Sequence, residues 1–130
     1  MKIAMIISQP DINGVASYAS DLNNYMQNTT NLESTLFVLK HKSMSLPVSE
    51  FYTKLNVVYI EPEHIEDAFE KINNEYTHLI LHDTLNIKLV DNENKIHERF
   101  LECWKKTKIK KLFIEHNAAK NYFNNLSYWH

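Results

Sequence analysis

The chain has 130 residues, a formal net charge of −2 at pH 7 and one cysteine, Cys103. This length is typical of one domain with its own core, the balanced charge argues against a protein that coats nucleic acid with its whole surface, and a lone cysteine excludes an internal disulfide. No apolar run approaches the roughly 20 residues that a membrane-spanning helix needs, and the first residues do not resemble a signal peptide. We therefore expect a single cytoplasmic domain over residues 1–130, without membrane contact.

Five short apolar runs along the chain predict β-strands. The first, fourth and fifth runs are nearly continuous in apolar residues, which is typical of parallel strands that are covered on both faces. The predicted strands are Lys2–Ile7, Ser34–Leu39, Asn56–Ile60, His78–Leu81 and Lys111–Glu115.

Three segments between the strands carry apolar residues at helical spacing. One follows Gly14, one follows Pro62 and one begins near Ile96. Pro62 suits the entry to the second helix, with Glu63 and Glu66 in its first turn. Strands that alternate with helices predict the α/β class, as a doubly wound, Rossmann-like parallel sheet of about five strands in the order 3-2-1-4-5.

Gly14 is the only glycine of the chain, and it lies between a predicted strand with its polar loop and a predicted helix. This arrangement places backbone N–H groups and a helix N-terminus beside an anionic or sugar ligand. A dinucleotide fingerprint needs three glycines, so we do not expect an NAD or FAD site. Asn13, Gly14 and Val15 are the predicted ligand-binding residues; the alternative is that the glycine only permits a tight turn.

Ligands of open α/β sheets bind at the carboxyl ends of the strands, where the strand order reverses. His116 follows the fifth predicted strand, and His82 with Asp83 follows the fourth. A histidine beside a carboxylate can act as a general base or can bind sugar hydroxyls. The alternative is that these are ordinary polar residues of loops. The rule that ligands bind at the carboxyl ends of strands selects three candidate ligand-binding segments, residues 8–14, 82–84 and 115–117.

Two further clusters, one of lysines and one of aromatic residues, each have a structural and a binding interpretation. Five lysines near the end of the third helix either complement the helix dipole or contact a nucleic-acid backbone. Aromatic residues near the end of the chain either dock on the sheet or form a surface for a protein partner or a second copy. The lysines are Lys105, Lys106, Lys108, Lys110 and Lys111, and the aromatic residues are Tyr122, Phe123, Tyr128 and Trp129.

Several of these segments resemble the N-terminal half of GT-B glycosyltransferases of the retaining branch, and more narrowly the phage DNA α-glucosyltransferases. The matching segments are Met-Lys-Ile-Ala-Met-Ile-Ile-Ser at 1–8, Asn-Gly-Val-Ala-Ser-Tyr-Ala at 13–19, His-Lys-Ser-Met-Ser-Leu-Pro-Val at 41–48, and His116. The abundance of Asn, Lys and Ile, with Arg99 as the only arginine, suits an A/T-rich bacterial or phage genome.

The resemblance implies transfer of a hexose from a nucleotide sugar to an acceptor hydroxyl, with hydroxymethylated cytosine in DNA as one candidate acceptor. The Gly14 loop would face the donor phosphates, and His116 would face the sugar. His116 and Asn117 stand where the phage enzymes have His-Asp, and an amide cannot act as a general base. In that family the donor site lies mostly on a C-terminal domain. We therefore expect an acceptor-side domain without a cofactor, which is inactive by itself and takes a nucleotide sugar only when a donor domain is supplied.

Two alternatives stay open at the level of sequence. The chain can be a non-catalytic interaction module, such as a phage regulator or counter-defence factor, that binds a protein or nucleic acid through its tail or its lysines. It can also be an unrelated doubly wound domain. The polar loop 8–14 matches a flavodoxin phosphate loop poorly, and Asp11 alone does not supply the paired acids of a receiver domain.

Overall fold

The computed structural model describes residues 1–7, 14–29, 31–40, 56–82 and 95–114. The strands are β1 (Lys2–Ile7), β2 (Glu33–Leu39), β3 (Val57–Ile60), β4 (His78–His82) and β5 (Lys110–Ile114). The helices are α1 (Gly14–Thr29), α2 (Ile65–Glu75), which follows a 3-10 turn at Pro62–His64, and α3 (Ile96–Lys106).

The five described strands form one parallel sheet in the order β3-β2-β1-β4-β5. The predicted fold class and the predicted strand order are both confirmed. Each strand also lies within one residue of its predicted bounds at either end.

The core has two halves, one on each face of the sheet. Alternate residues of a strand point to opposite faces, so Ile6 of β1 packs on one side while Met5 packs on the other. The first face is covered by α2 and α3, which contribute Phe69, Phe100 and Trp104. The second face is covered by α1, through residues such as Ala19. Helices on both faces are the defining feature of a doubly wound sheet.

The entry to α2 differs in detail from the prediction. Pro62 begins a 3-10 turn rather than the α-helix itself, and the α-helix starts at Ile65. The carboxylates in its first turn are therefore Glu66 and Asp67, while Glu63 belongs to the 3-10 turn.

The expectation that the fifth strand is covered on both faces was wrong. In β5, the residues Lys110, Lys111 and Leu112 are exposed, and only the last two residues are half-buried. The physical reason is the position of the strand, because β5 lies at the edge of the described sheet and has a strand neighbour on one side only.

The chain crosses from β1 to β2 through α1 on one face and from β3 to β4 through α2 on the other face. The strand order consequently reverses between β1 and β4. A crevice at the carboxyl ends of these two strands is where open α/β sheets bind their ligands.

Candidate functional site

His82 is the last residue of β4, and it lies at the point where the strand order reverses. Its Cα pairs in register with Ile7, the last residue of β1, and with Ile114, the last residue of β5. The apolar residues that precede it in β4 carry the chain through the core, and His82 is fully buried. The structure thus places a buried imidazole among the carboxyl ends of three adjacent strands.

The ring of Tyr18 contacts the ring of His82. It belongs to α1, which begins at Gly14 after the end of β1. The ring centroids of Tyr18 and His82 are 5.9 Å apart with an interplanar angle of 62°, which is an edge-to-face contact. Because 48% of Tyr18 is exposed, its ring forms surface above a buried partner.

A charged pair lies at the carboxyl ends of the neighbouring strands β2 and β3. The ammonium Nζ of Lys40, directly after β2, donates to Oε1 of Glu61 at 2.8 Å. The same ammonium lies 5.5 Å from the ring centroid of Tyr59 in β3. Lys40 and Glu61 are both partly exposed, so their remaining hydrogen-bonding capacity is accessible from the solvent.

The surroundings of the Tyr59 hydroxyl favour its neutral form over the phenolate. Burial raises the pKa of Tyr59, and the nearby Lys40 ammonium opposes this only in part. Its oxygen is buried and has no hydrogen-bond partner among the residues that the structure describes. A buried hydroxyl is costly in free energy unless it finds a partner.

The structure locates some of the predicted ligand-binding and catalytic residues. Gly14 is the first residue of α1, and Val15 lies in the first turn of that helix, as the strand–loop–glycine–helix pattern predicts. The other residues predicted for this edge lie outside the described residues and stay predictions. They are Asn13, Asp83, His116 and Asn117.

The lysine cluster lies near the amino-terminal end of β5, where α3 ends and β5 begins, and so at the opposite end of the strands from His82. Lys106 pairs with Glu102 at 3.0 Å, and Lys111 donates to the carbonyl of Trp104 at 3.0 Å. These two lysines therefore interact with groups of the same chain. Lys105, Lys108 and Lys110 are exposed, and within the described part of the chain their ammonium groups make no ion pair. The aromatic residues Tyr122, Phe123, Tyr128 and Trp129 lie outside the described residues.

A partly buried polar network that the sequence did not predict lies at the amino-terminal end of β2. Ser34 donates its hydroxyl to the side-chain oxygen of Asn23 in α1. Asn56 donates to the Thr35 hydroxyl oxygen at 2.9 Å, and so does the hydroxyl of Tyr76 at 3.0 Å. Asn23 is the residue from which this network could have been predicted. It stands four residues after Ala19, which places a polar side chain on the apolar face of α1. Because these groups bond mainly to one another, the network is structural.

Within the described residues, no three His, Cys, Asp or Glu side chains lie close enough together to hold a metal ion. None of the described helices has both the length and the apolar character needed to cross a membrane.

No protein-family model matches the chain, and no curated protein is significantly similar to it. The resemblance to GT-B glycosyltransferases therefore stands on the sequence segments alone.

Proposed function

We propose that the chain is a glycosyltransferase-like domain of the GT-B type that binds its ligand at the carboxyl edge of the sheet, between β1 and β4. The observation that carries the proposal is the contact of Tyr18 with His82 at the reversal of strand order. The transfer chemistry itself rests on the sequence resemblance. The position and composition of this edge support a ligand site.

The partly exposed ring of Tyr18 is the surface that a ligand would touch. An aromatic face packs well against a nucleotide base or against the C–H face of a sugar. The edge-to-face contact with the buried His82 ring would restrict the orientations that the Tyr18 ring can adopt. An ordered aromatic surface loses little conformational entropy on binding, which favours affinity.

Lys40 and Glu61 would supply the polar contacts of the same ligand. β2 and β4 flank β1 on its two sides, and neighbouring strands are about 4.8 Å apart, so the two strand ends are separated by roughly 10 Å. A nucleotide sugar is long enough to span this distance, with its base or sugar ring on Tyr18, its phosphates near the Lys40 ammonium and its hydroxyls near the Glu61 carboxylate.

The resemblance places most of the donor site on a C-terminal domain; we propose, beyond that expectation, that this edge gives the isolated chain a weak affinity of its own for uridine diphosphate glucose. Titration of the ¹⁵N-labelled protein with this ligand tests the proposed site. We expect amide shifts to change around Ile7, Tyr18 and His82. Tyr18→Ala should weaken binding by roughly tenfold, which is about 1.4 kcal/mol. Tyr25→Ala is the matched control, because Tyr25 lies in the same helix and is 60% exposed. An unchanged spectrum up to about 1 mM ligand would contradict the proposal.

We expect binding without turnover from the isolated chain. Asn117 stands where a carboxylate is expected from the resemblance, and an amide does not accept a proton at neutral pH. The measurement is transfer of radiolabelled glucose to hydroxymethylated DNA. Transfer at the rate of a complete enzyme would show that this account of Asn117 is wrong, even if the binding site is correct.

The second candidate is a non-catalytic module that binds nucleic acid, and the exposed Lys105, Lys108 and Lys110 favour it. Each phosphate contact contributes about −0.9 to the slope of log K against log salt on duplex DNA. If these lysines bind DNA, replacing all three by glutamine should reduce the steepness of that slope by up to roughly 3. Glutamine at Lys106 and Lys111, which have partners within the protein, is the control.

A further inference from the structure

An open pocket lies at the amino-terminal ends of the strands, opposite to the candidate site at their carboxyl ends. Its volume is about 480 Å³. The first residues of β1 and β2 contribute Lys2 and Thr35, Asn56 lies directly before β3, and α2 contributes Lys71. Pockets that bind small molecules have volumes of about 300–1,000 Å³, so this one is large enough for a small organic ligand.

The polar network in the wall of this pocket contains one hydroxyl hydrogen more than it uses. Thr35 and Tyr76 both line the pocket, and both are more than nine-tenths buried. Their hydroxyl groups share one hydrogen bond at 3.0 Å. Two hydroxyl groups carry two hydrogens, and a bond between them uses only one. Within the described part of the chain, the second hydrogen has no acceptor.

The side chain of Asn56 does not supply that acceptor. Its amide nitrogen donates to the Ser34 carbonyl at 3.2 Å and to the Thr35 hydroxyl oxygen at 2.9 Å. Because a carbonyl can only accept, the bond to Ser34 identifies the nitrogen of this amide, and the bond to Thr35 is therefore donated as well. A buried donor without an acceptor is costly in free energy, so a ligand oxygen that reaches this hydroxyl hydrogen would remove the cost.

Two ammonium groups belong to the same pocket. The Nζ of Lys2 lies 4.7 Å from the centroid of the Tyr76 ring, which places the charge beside the network. Lys71 is exposed on α2, and among the residues that the structure describes neither lysine forms an ion pair. An ammonium group has three donors and no acceptor. The wall of the pocket thus offers several donors to one ligand, and charged donors bind anionic oxygens most strongly.

The charges around the pocket favour a ligand with a single negative charge. Glu33 also lines the pocket, so that Lys2 and Lys71 against Glu33 leave a formal charge of +1. In addition α2 ends at Glu75, directly before Tyr76, and the C-terminal end of a helix carries a partial negative charge. Both features disfavour a dianion such as a phosphate monoester.

We propose that this pocket binds a small organic carboxylate. Its oxygens accept hydrogen bonds from the ammonium groups of Lys2 and Lys71 and from the unused hydroxyl hydrogen. Its apolar part lies against the half-buried Val58, which also lines the pocket. Removal of this apolar surface from water adds to the affinity. The site is separate from the carboxyl edge of the sheet and does not depend on the function proposed above.

Titration of the ¹⁵N-labelled protein with benzoate and with benzamide tests the requirement for charge, because the two molecules have nearly the same shape. We expect benzoate to shift the amide signals of Thr35 and Tyr76 with a roughly millimolar dissociation constant, and benzamide to bind at least about tenfold more weakly. The signals of Ile7 and His82, at the carboxyl ends of their strands, should not move. Equal binding of the two molecules, no shift with benzoate up to about 20 mM, or tighter binding of inorganic phosphate than of benzoate would overturn the proposal.

A pair of lysine variants tests the assignment of the pocket. Lys71→Gln should raise the dissociation constant for benzoate by at least about fivefold. Lys105→Gln removes the same charge from an exposed position on α3, and it should leave the dissociation constant unchanged. Circular dichroism establishes that each variant is folded. If Lys71 only complements the negative end of α2, neither variant changes the affinity; that result, or equal effects of the two variants, would contradict a carboxylate site in this pocket.

Discussion

Arg99 donates from Nε and Nη2 to the two carboxylate oxygens of Glu66, at 2.7 and 2.6 Å, and so joins α3 to α2. The two residues are 33 positions apart, and they lie on adjacent helices that cover the same face of the sheet. Beneath them Phe69 and Phe100 meet edge to face, with ring centroids 5.1 Å apart. The ion pair therefore stabilises a contact that apolar packing already forms.

Arg99→Lys should lower the free energy of unfolding by about 0.5–1 kcal/mol. Lysine keeps the charge but cannot donate two parallel hydrogen bonds to one carboxylate. The value is modest because 54% of the Glu66 side chain is exposed to solvent, which weakens the pair. Urea unfolding measures the difference. Lys106→Gln, which removes a single-bond pair with Glu102 within α3, should cost less; an equal cost would argue against a special role for the two-bond geometry.

The contribution of Glu66 should depend on pH. The hydrogen bonds from Arg99 hold the pKa of Glu66 below its ordinary value of 4.5. A folded-state pKa that is lowered stabilises the protein above the ordinary pKa, and this stabilisation is lost as the pH falls through the folded-state value. The stability difference between the natural chain and Glu66→Gln should therefore be largest near pH 7 and should shrink below pH 4.5. A difference that is constant from pH 7 to pH 3 would contradict this origin.

The fold could be predicted because its determinants are local and repeated. The apolar runs and the 3.6-residue spacing define strands and helices, and right-handed crossovers leave few ways to arrange five parallel strands. The partial exposure of β5 could not be predicted in this way. Its Leu-Phe-Ile sequence is as apolar as that of a central strand, and its exposure depends on which neighbours the strand acquires in the sheet.

Part of the candidate site could be predicted from the sequence, and part of it could not. The carboxyl-edge rule selected His82 because it directly follows an apolar strand. Tyr18 lies at helical spacing from Val15 and Leu22, which by itself favours a core position, yet 48% of Tyr18 is exposed beside His82. Lys40 and Glu61 are 21 residues apart and meet only because β2 and β3 are neighbours. Contacts of that kind depend on tertiary structure and leave no periodic signal.

Tyr76→Phe should lower the free energy of unfolding by about 1 kcal/mol. The Tyr76 hydroxyl donates to the Thr35 hydroxyl oxygen at 3.0 Å within a buried network, while the ring itself packs against Phe37. Phenylalanine keeps the ring and removes only the hydrogen bond. Chemical denaturation measures the loss, and Tyr25→Phe at an exposed position should change stability by less than about 0.5 kcal/mol. Equal effects of the two substitutions would contradict a stabilising role of the network.

The thiol of Cys103 should react slowly with disulfide reagents in the folded protein. Burial raises the pKa of Cys103 above its ordinary value of 9.0, and the Glu66 carboxylate raises it further. The thiolate is the reactive form, so at pH 8 the folded chain should react more slowly than the chain unfolded in guanidinium. A raised folded-state pKa stabilises the protein at lower pH, and this stabilisation is lost as the pH rises through the folded-state value.

The neighbours of Cys103 allow the electrostatic cause to be separated from simple burial. Cys103, Glu66 and Arg99 line one open groove of about 480 Å³ between α2 and α3. Glu66 raises the pKa of Cys103 and Arg99 lowers it. Glu66→Gln should therefore speed the reaction of the folded chain at pH 8, whereas Arg99→Gln should slow it. If both substitutions speed the reaction equally, loosening of the α2–α3 contact is the cause, and the electrostatic account of this thiol is wrong.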